Sequence, residues 1–182
     1  MYEDSALDLV AYCARVSNPD NQNNKETNEK LVKYLMKHKH WSPLEMVSVC
    51  LEVETTRDIA RQILRHRSFS FQEFSQRYAD PTKDLEFEIR QARLQDPKNR
   101  QNSIELDSEM DGKGIAKEQA RAVLPEGNTM SRLYVNGTLR SWIHYIELRE
   151  ANGTQLEHIE IAKEVAKVIH KIFPLTLQNE TV

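Results

Sequence analysis

Between Arg65 and Tyr78 the chain reads RHRSFSFQEFSQRY. Arg65, Arg67 and Arg77 carry planar forks of N–H donors that suit phosphate oxygens. Ser68, Ser70 and Ser75 add hydroxyls, and a loop leaving a helix adds backbone N–H groups. Phe69, Phe71 and Phe74 offer flat apolar faces to a base or a flavin ring. Such a set can hold an anionic, ring-bearing ligand without glycines. From composition alone it fits a nucleotide, a dinucleotide or single-stranded RNA. A plainer reading stands beside it. Arginines at a helix C-terminus are ordinary, SFSF can be an amphipathic strand, and Glu73 can pair with Arg77 at i,i+4.

The rest of the sequence narrows the choice. Its net charge is −3 over 182 residues, so anion binding must come from a local patch and not from a global basic field. A single-stranded nucleic acid needs a longer basic track with stacking aromatics, and no second basic stripe is present; no nucleic-acid partner is expected. The five glycines build neither a dinucleotide fingerprint nor a P-loop. No apolar run approaches the roughly 20 residues that span a bilayer, and the acidic start lacks a signal-peptide pattern. A cytoplasmic protein with no membrane contact is expected. Cys13 and Cys50 form no metal-type cluster, so no metal and no disulfide are expected.

The elements that must position the motif follow from periodicity. Residues 4–15 and 26–39 read as helices, separated by a polar turn. Ser42, Pro43 and Glu45 have the pattern of a capped helical turn. Val47, Val49, Leu51 and Val53 alternate with polar residues, as in a half-buried strand. Residues 55–67 read as a helix capped by Thr55 or Thr56, and SFSFQEF as a strand or extended loop. DLEFEIR, 84–90, reads as a strand, 94–115 as a loop or weak helix, and 116–124 as a helix. Asn136-Gly137 has the look of a turn. Residues 139–150 read as a helix stopped at Asn152 and Gly153. Thr154 and Glu157 suggest a capping box for a last helix ending at Pro174. Helices, a few strands and then helices give an α+β fold, expected as one domain over 1–182 with a small, mostly antiparallel sheet. The apolar content of 39% is modest for this length, so an oligomer is plausible.

At this point a resemblance becomes visible. An R-H-R triplet, seven residues and a Ser, here RHRSFSFQEFS, resembles the signature of the flavin-dependent thymidylate synthases. ARVS at 14–17, YLMKHKHWSPLE at 34–45, RQILRHR at 61–67, ARAVLP at 120–125 and YIELR at 145–149 are similar to family segments, in the family's order. The resemblance implies an enzyme that converts dUMP to dTMP. FAD would be its redox cofactor, 5,10-methylenetetrahydrofolate the carbon donor and NADPH the reductant, in a homotetramer with FAD at subunit junctions. It places Arg65, His66 and Arg67 at the FAD. Ser17, His40, Ser42, Glu73, Asn136 and Arg140 match further flavin-side positions. Gln62, Glu73, Ser75, Gln76, Arg77, Arg121 and Arg149 match dUMP contacts. Ser75, Arg77 and Arg149 are the positions expected to serve the reaction itself, with Ser75 binding and not attacking. The chain departs from the family pattern at Gln76, where many members have Gly, and in a longer Asn136–Arg140 interval.

Overall fold

A computed structural model describes residues 5–75, 77–78, 88, 90–105, 127–151 and 153–174. The strand expected over 84–90 and the helix over 116–124 fall on residues outside these, apart from Glu88 and Arg90. Gln76 and Arg121 lie outside them too.

Among the described residues five α-helices and two antiparallel sheets make an α+β architecture. Helix α1 spans Ala6–Ala14. It starts at a reciprocal cap: the Asp8 N–H donates to Ser5 Oγ at 3.2 Å, and the Ser5 N–H donates to Asp8 Oδ2 at 3.2 Å. Helix α2 spans Asn28–Lys37, and a 3₁₀ turn, Ser42–Met46, leads into strand β1, Ser48–Thr56. Ser42 is the first residue of that turn and caps nothing. Trp41 takes the cap position with no side-chain bond.

Helix α3 is shorter than the sequence predicts, Arg57–Ile63. Thr55 and Thr56 are β-branched and stay in the strand, opposite Ser131 and Met130; Thr56 takes the expected cap position of the helix, without a side-chain cap bond. At the other end the helix closes at Leu64, so the RHR triplet stands in the loop beyond it. Strand β2 follows, Ser70–Glu73. Arg93–Gln95 and Ser103–Glu105 pair as a hairpin, β3 and β4, where a loop or weak helix is expected.

The largest departure is strand β5, Met130–Thr138. It lies at the centre of the main sheet, in the order β1-β5-β2, with Ser48 opposite Thr138 and Ser70 opposite Asn136. Asn136-Gly137 is therefore strand and not turn. Gly137 is required for another reason. A Cβ there would lie 2.4 Å from the Phe69 ring, so only glycine lets that ring lie on the strand.

Strand β5 runs directly into helix α4, Leu139–Glu150, capped where the Ser141 N–H donates to Thr138 Oγ1 at 3.3 Å. Helix α5 spans Leu156–Ile172. Its cap position is Gln155, whose side chain is used elsewhere, so the box expected from Thr154 and Glu157 does not form. One hydrophobic cluster joins sheet and helices: Val53 and Leu133 from the strands, Ile59 from α3, Trp142 from α4 and Ile169 from α5. The Trp142 indole N–H donates to the Val49 carbonyl at 3.1 Å, fixing α4 across the sheet. Among the described residues no helix is long and apolar enough to cross a membrane.

Candidate functional site

The RHR loop and the last turn of α4 meet at one bond. The Arg149 Nε–H donates to His66 Nε2 at 2.9 Å. Accepting at Nε2 requires a neutral imidazole with its proton on Nδ1. Electrostatics agree: burial, then the charges of Arg149 and Arg65, lower the His66 pKa to about 4. Burial also works against the charge on Arg149, and Arg65 adds to that. Among the described residues Arg65, Arg67, Arg77 and Arg149 have no carboxylate partner. Arg77 lies 5.6 Å from the centre of the Tyr78 ring, and its backbone N–H reaches Ser75 Oγ at 3.4 Å. Arg65 and Arg149, whose charges act on the same His66, are a pair that a phosphate-bearing ligand would compensate.

Glu73 does not pair with Arg77. Its carboxylate takes Arg61 at 2.8 Å and the Ser131 hydroxyl at 3.1 Å, which ties the end of β2 to α3 and β5. Around His66 the walls are aromatic: Tyr145 lies 5.0 Å and Phe69 6.3 Å away, ring centre to ring centre. Asn136 is exposed on β5 beside Ser70, and Ser141 on α4 donates to the Ser68 carbonyl at 3.2 Å. Arg140, at the start of α4, pairs with Glu45. Ser42 opens the turn that contains Glu45. His40 lies 6.1 Å from Tyr34, ring to ring. Ser17 lines an open hollow of about 560 Å³ between α1 and α2, with Asn18, Lys30 and Tyr34. No hydrogen bond among the described residues joins Ser17, His40 or Ser42 to the Arg149–His66 pair.

Gln62 leads to residues that the motifs do not mark. Its Oε1 faces His158 Nδ1 at 3.3 Å, and its Nε2–H donates to Gln155 Oε1 at 2.8 Å. His158 is fully buried, with Nε2 3.1 Å from the Tyr145 hydroxyl. Burial, with Arg149 and His66 nearby, lowers its pKa to about 3. Burial likewise pushes the Tyr145 hydroxyl up. Gln155 donates to Glu157 Oε2 at 2.9 Å, and Arg93 grips both Glu157 oxygens at 2.7 and 2.9 Å. One sign of this was available in the sequence. His158 is in phase with Ala162, Val165 and Ile169 on the core face of α5, and a buried imidazole there must find partners.

The profile of a family described as thymidylate synthase complementing protein matches residues 1–175. A probable flavin-dependent thymidylate synthase of Paramecium bursaria Chlorella virus 1 is 48% identical, over 93% of this chain and 88% of that one. The chain belongs to this family. The flavin-dependent thymidylate synthase of a Synechocystis strain is also 48% identical, over 91% of this chain and 85% of its own. These names make the protein an enzyme of the flavin-dependent thymidylate synthase kind, a methyltransferase that uses a flavin. Among solved structures, a UMP/dUMP methylase from Streptomyces cacaoi, bound with 5-Br dUMP, superposes with a TM-score of 0.71. It is 27% identical and covers 96% of this chain and 89% of its own.

Proposed function

We propose that the protein carries out reductive methylation of dUMP to dTMP, with FAD as cofactor, 5,10-methylenetetrahydrofolate as carbon donor and NADPH as reductant. The observation that carries this reading is the meeting of Arg149 with the RHR loop: an arginine donating to a neutral histidine, with the charge of Arg65 near enough to act on both, and no carboxylate partner on Arg65, Arg67 or Arg149 among the described residues. The donor set fits the two expected ligands, because both FAD and dUMP bring phosphates and a planar ring. Arg65 and Arg67 would hold FAD, with Phe69 and Tyr145 shaping the wall behind His66. Gln62, Ser75, Arg77 and Arg149 would hold dUMP, with Gln76 and Arg121 beside them by family likeness.

When bound, the flavin supplies the redox chemistry that adding a carbon unit at the methyl level requires. The chain's own residues position and polarise. Arg149 is held in place by its bond to His66, so its remaining N–H groups stay aimed without reorganising. Ser75 binds: its hydroxyl accepts from the Arg77 backbone, and no histidine base is paired with it among the described residues. Among the described residues Ser17, His40 and Ser42 make no hydrogen bond to this cluster within one chain. A homotetramer whose subunits each contribute part of a flavin site accounts for that separation. The protein is expected to act in the cytoplasm, as one domain.

The test is direct. Purified protein should be yellow and should form dTMP only when dUMP, methylenetetrahydrofolate and reductant are all present. Colourless protein that binds RNA with a steep salt dependence would overturn the reading.

A further inference from the structure

The bonds that begin at Glu157 and end at Tyr145 have a single direction. Glu157 lies at the start of α5, where burial opposes its charge. Its own backbone N–H, Gln155 and Arg93 overcome that and keep its carboxyl below the ordinary value. A carboxylate only accepts. Gln155 must therefore turn its Nε2 toward Glu157 and its Oε1 toward Gln62. Gln62 must then present Nε2 to Gln155, at 2.8 Å, and Oε1 to His158, at 3.3 Å. His158 must carry its proton on Nδ1, which leaves Nε2 to accept from the Tyr145 hydroxyl at 3.1 Å. Turning any one amide over would set oxygen against oxygen or donor against donor along the chain, in a place where Gln155 and His158 are buried.

We propose that Gln155 and His158 are positioning residues that fix the Gln62 amide in one orientation, so that it recognises the keto edge of uracil and rejects the amino edge of cytosine. This rests on the reading of Gln62 as a dUMP contact. A primary amide free to rotate can satisfy either pyrimidine, because swapping its O and N converts an acceptor–donor pattern into its inverse. Uracil presents the O4 acceptor where cytosine presents the N4 donor. An amide already committed at both ends has one N–H and one lone pair left, at fixed places. It matches one pattern and leaves the other unpaired, and unpaired buried groups discriminate strongly. The charge that removes the ambiguity is Glu157, which itself is held by Arg93 and never needs to touch the ligand.

Two measurements test this on the flavin-loaded protein. The first needs no nucleotide: imidazole nitrogen shifts report the His158 tautomer. Neutral His158 protonated on Nδ1 is expected, and protonation on Nε2 overturns the directed chain. The second is titration of dUMP and dCMP against flavin fluorescence in Gln62→Leu, Gln155→Met, His158→Asn and wild type, each checked for folding by its melting curve. Gln155→Met should weaken dUMP by about three- to tenfold, the loss of one or two hydrogen bonds, and should reduce the preference for dUMP over dCMP. His158→Asn keeps a donor toward Gln62 and should stay closer to wild type in both. Loss of dUMP affinity in Gln62→Leu with none in Gln155→Met overturns the positioning role alone. Normal dUMP affinity in Gln62→Leu overturns the assignment of Gln62, and the proposal with it, while the tautomer result would still stand. If Gln155→Met loses affinity for both nucleotides equally, the specificity claim is overturned.

Discussion

Two groups of arginines lie at opposite ends of α3. Beyond its C-terminus come Arg65, whose charge acts on Arg149, and Arg67 in the same loop; none of the three makes an ion pair with a carboxylate among the described residues. At its N-terminus, the Arg90 side chain is 5% exposed and holds both oxygens of Asp58 at 2.8 and 3.0 Å, with Glu88 at 3.2 Å. Arg93 beside it holds Glu157. The chemistry of the side chain is the same, but the partners are not. Burial opposes the charge on Asp58, yet hydrogen bonds from Arg90 and Thr56 outweigh it and hold the carboxyl below its ordinary value. Every charge in that second group is met within the chain, so it fastens β1, α3, residue 90 and the start of α5 together. The first group has no carboxylate partner among the described residues, and it is the group proposed to meet a ligand. An arginine that is satisfied inside the fold contributes to stability, while one left without a carboxylate is available to a ligand.

Substitutions should separate the two groups. The largest effect is expected at Arg90→Met. Removing one partner of a buried ion pair leaves Asp58 charged and uncompensated, at a cost of about 3–5 kcal/mol. Urea denaturation should show that loss, and an unchanged midpoint would dissolve the distinction between the groups. Arg149→Ala should do the reverse: stability stays within about 1 kcal/mol, and dUMP binding falls by about ten- to a hundredfold, from the loss of a charged hydrogen bond of roughly 1.5–3 kcal/mol. Retained dUMP affinity, read by flavin fluorescence, would remove Arg149 from the site.

Acid should act on the ligand-side group through its histidines. The folded-state pKa values of His66 and His158 are lowered, to about 4 and about 3, from an ordinary 6.5. Above 6.5 both are neutral in either state and their contribution is fully present. As pH falls below 6.5 the unfolded chain takes up protons that the native state refuses, so stability declines. Each histidine adds up to about 1.4 kcal/mol per pH unit to the slope. The facing groups are Arg65 and Arg149, with Tyr145 and Gln62. His158→Asn should flatten the wild-type profile between pH 6 and 4, and an identical slope in the two proteins would show that His158 is not held neutral. The smallest effect is expected from Cys13→Ser with Cys50→Ser. Both thiols are free, Cys50 is exposed on β1 and Cys13 half-buried in α1, on elements other than those that carry the arginines of the RHR loop and Arg149. Turnover should persist in the folded double variant. Its loss would indicate a thiol in the reaction.

Much of this was legible in the sequence. Helix α4 has the predicted bounds, 139–150, because its apolar phase is regular and its neighbours break it cleanly. Strand β1 shows the alternation of its burial. Strand β5 was hidden because Asn136-Gly137 imitates a turn, whereas Gly137 serves the Phe69 ring, a partner almost seventy positions away that no local pattern reveals. The hairpin of β3 and β4 was missed because three-residue strands carry too little alternation to detect. At the site, the arginines could be found by type and spacing. The directed chain through Gln62, Gln155 and His158 could not, since glutamines at 62 and 155 become neighbours only when α3 and α5 are packed.

The central place of β5 also bears on how the enzyme is made. Ser48 pairs with Thr138 and Thr56 with Met130, so the sheet closes a loop that contains α3, the RHR motif and the β3–β4 hairpin. Closing so long a loop costs entropy before any pairing offsets it, and non-local strands form slowly. On the ribosome, every residue from 57 to 129 must emerge before β5 arrives to pair with β1 and β2. During that interval β1 offers an unpaired edge and three cations stand near three phenylalanines with nothing to hold them. The proposed anion site is therefore among the last features to form, and conditions that slow the arrival of β5 leave the segment of arginines and phenylalanines unpaired for longer.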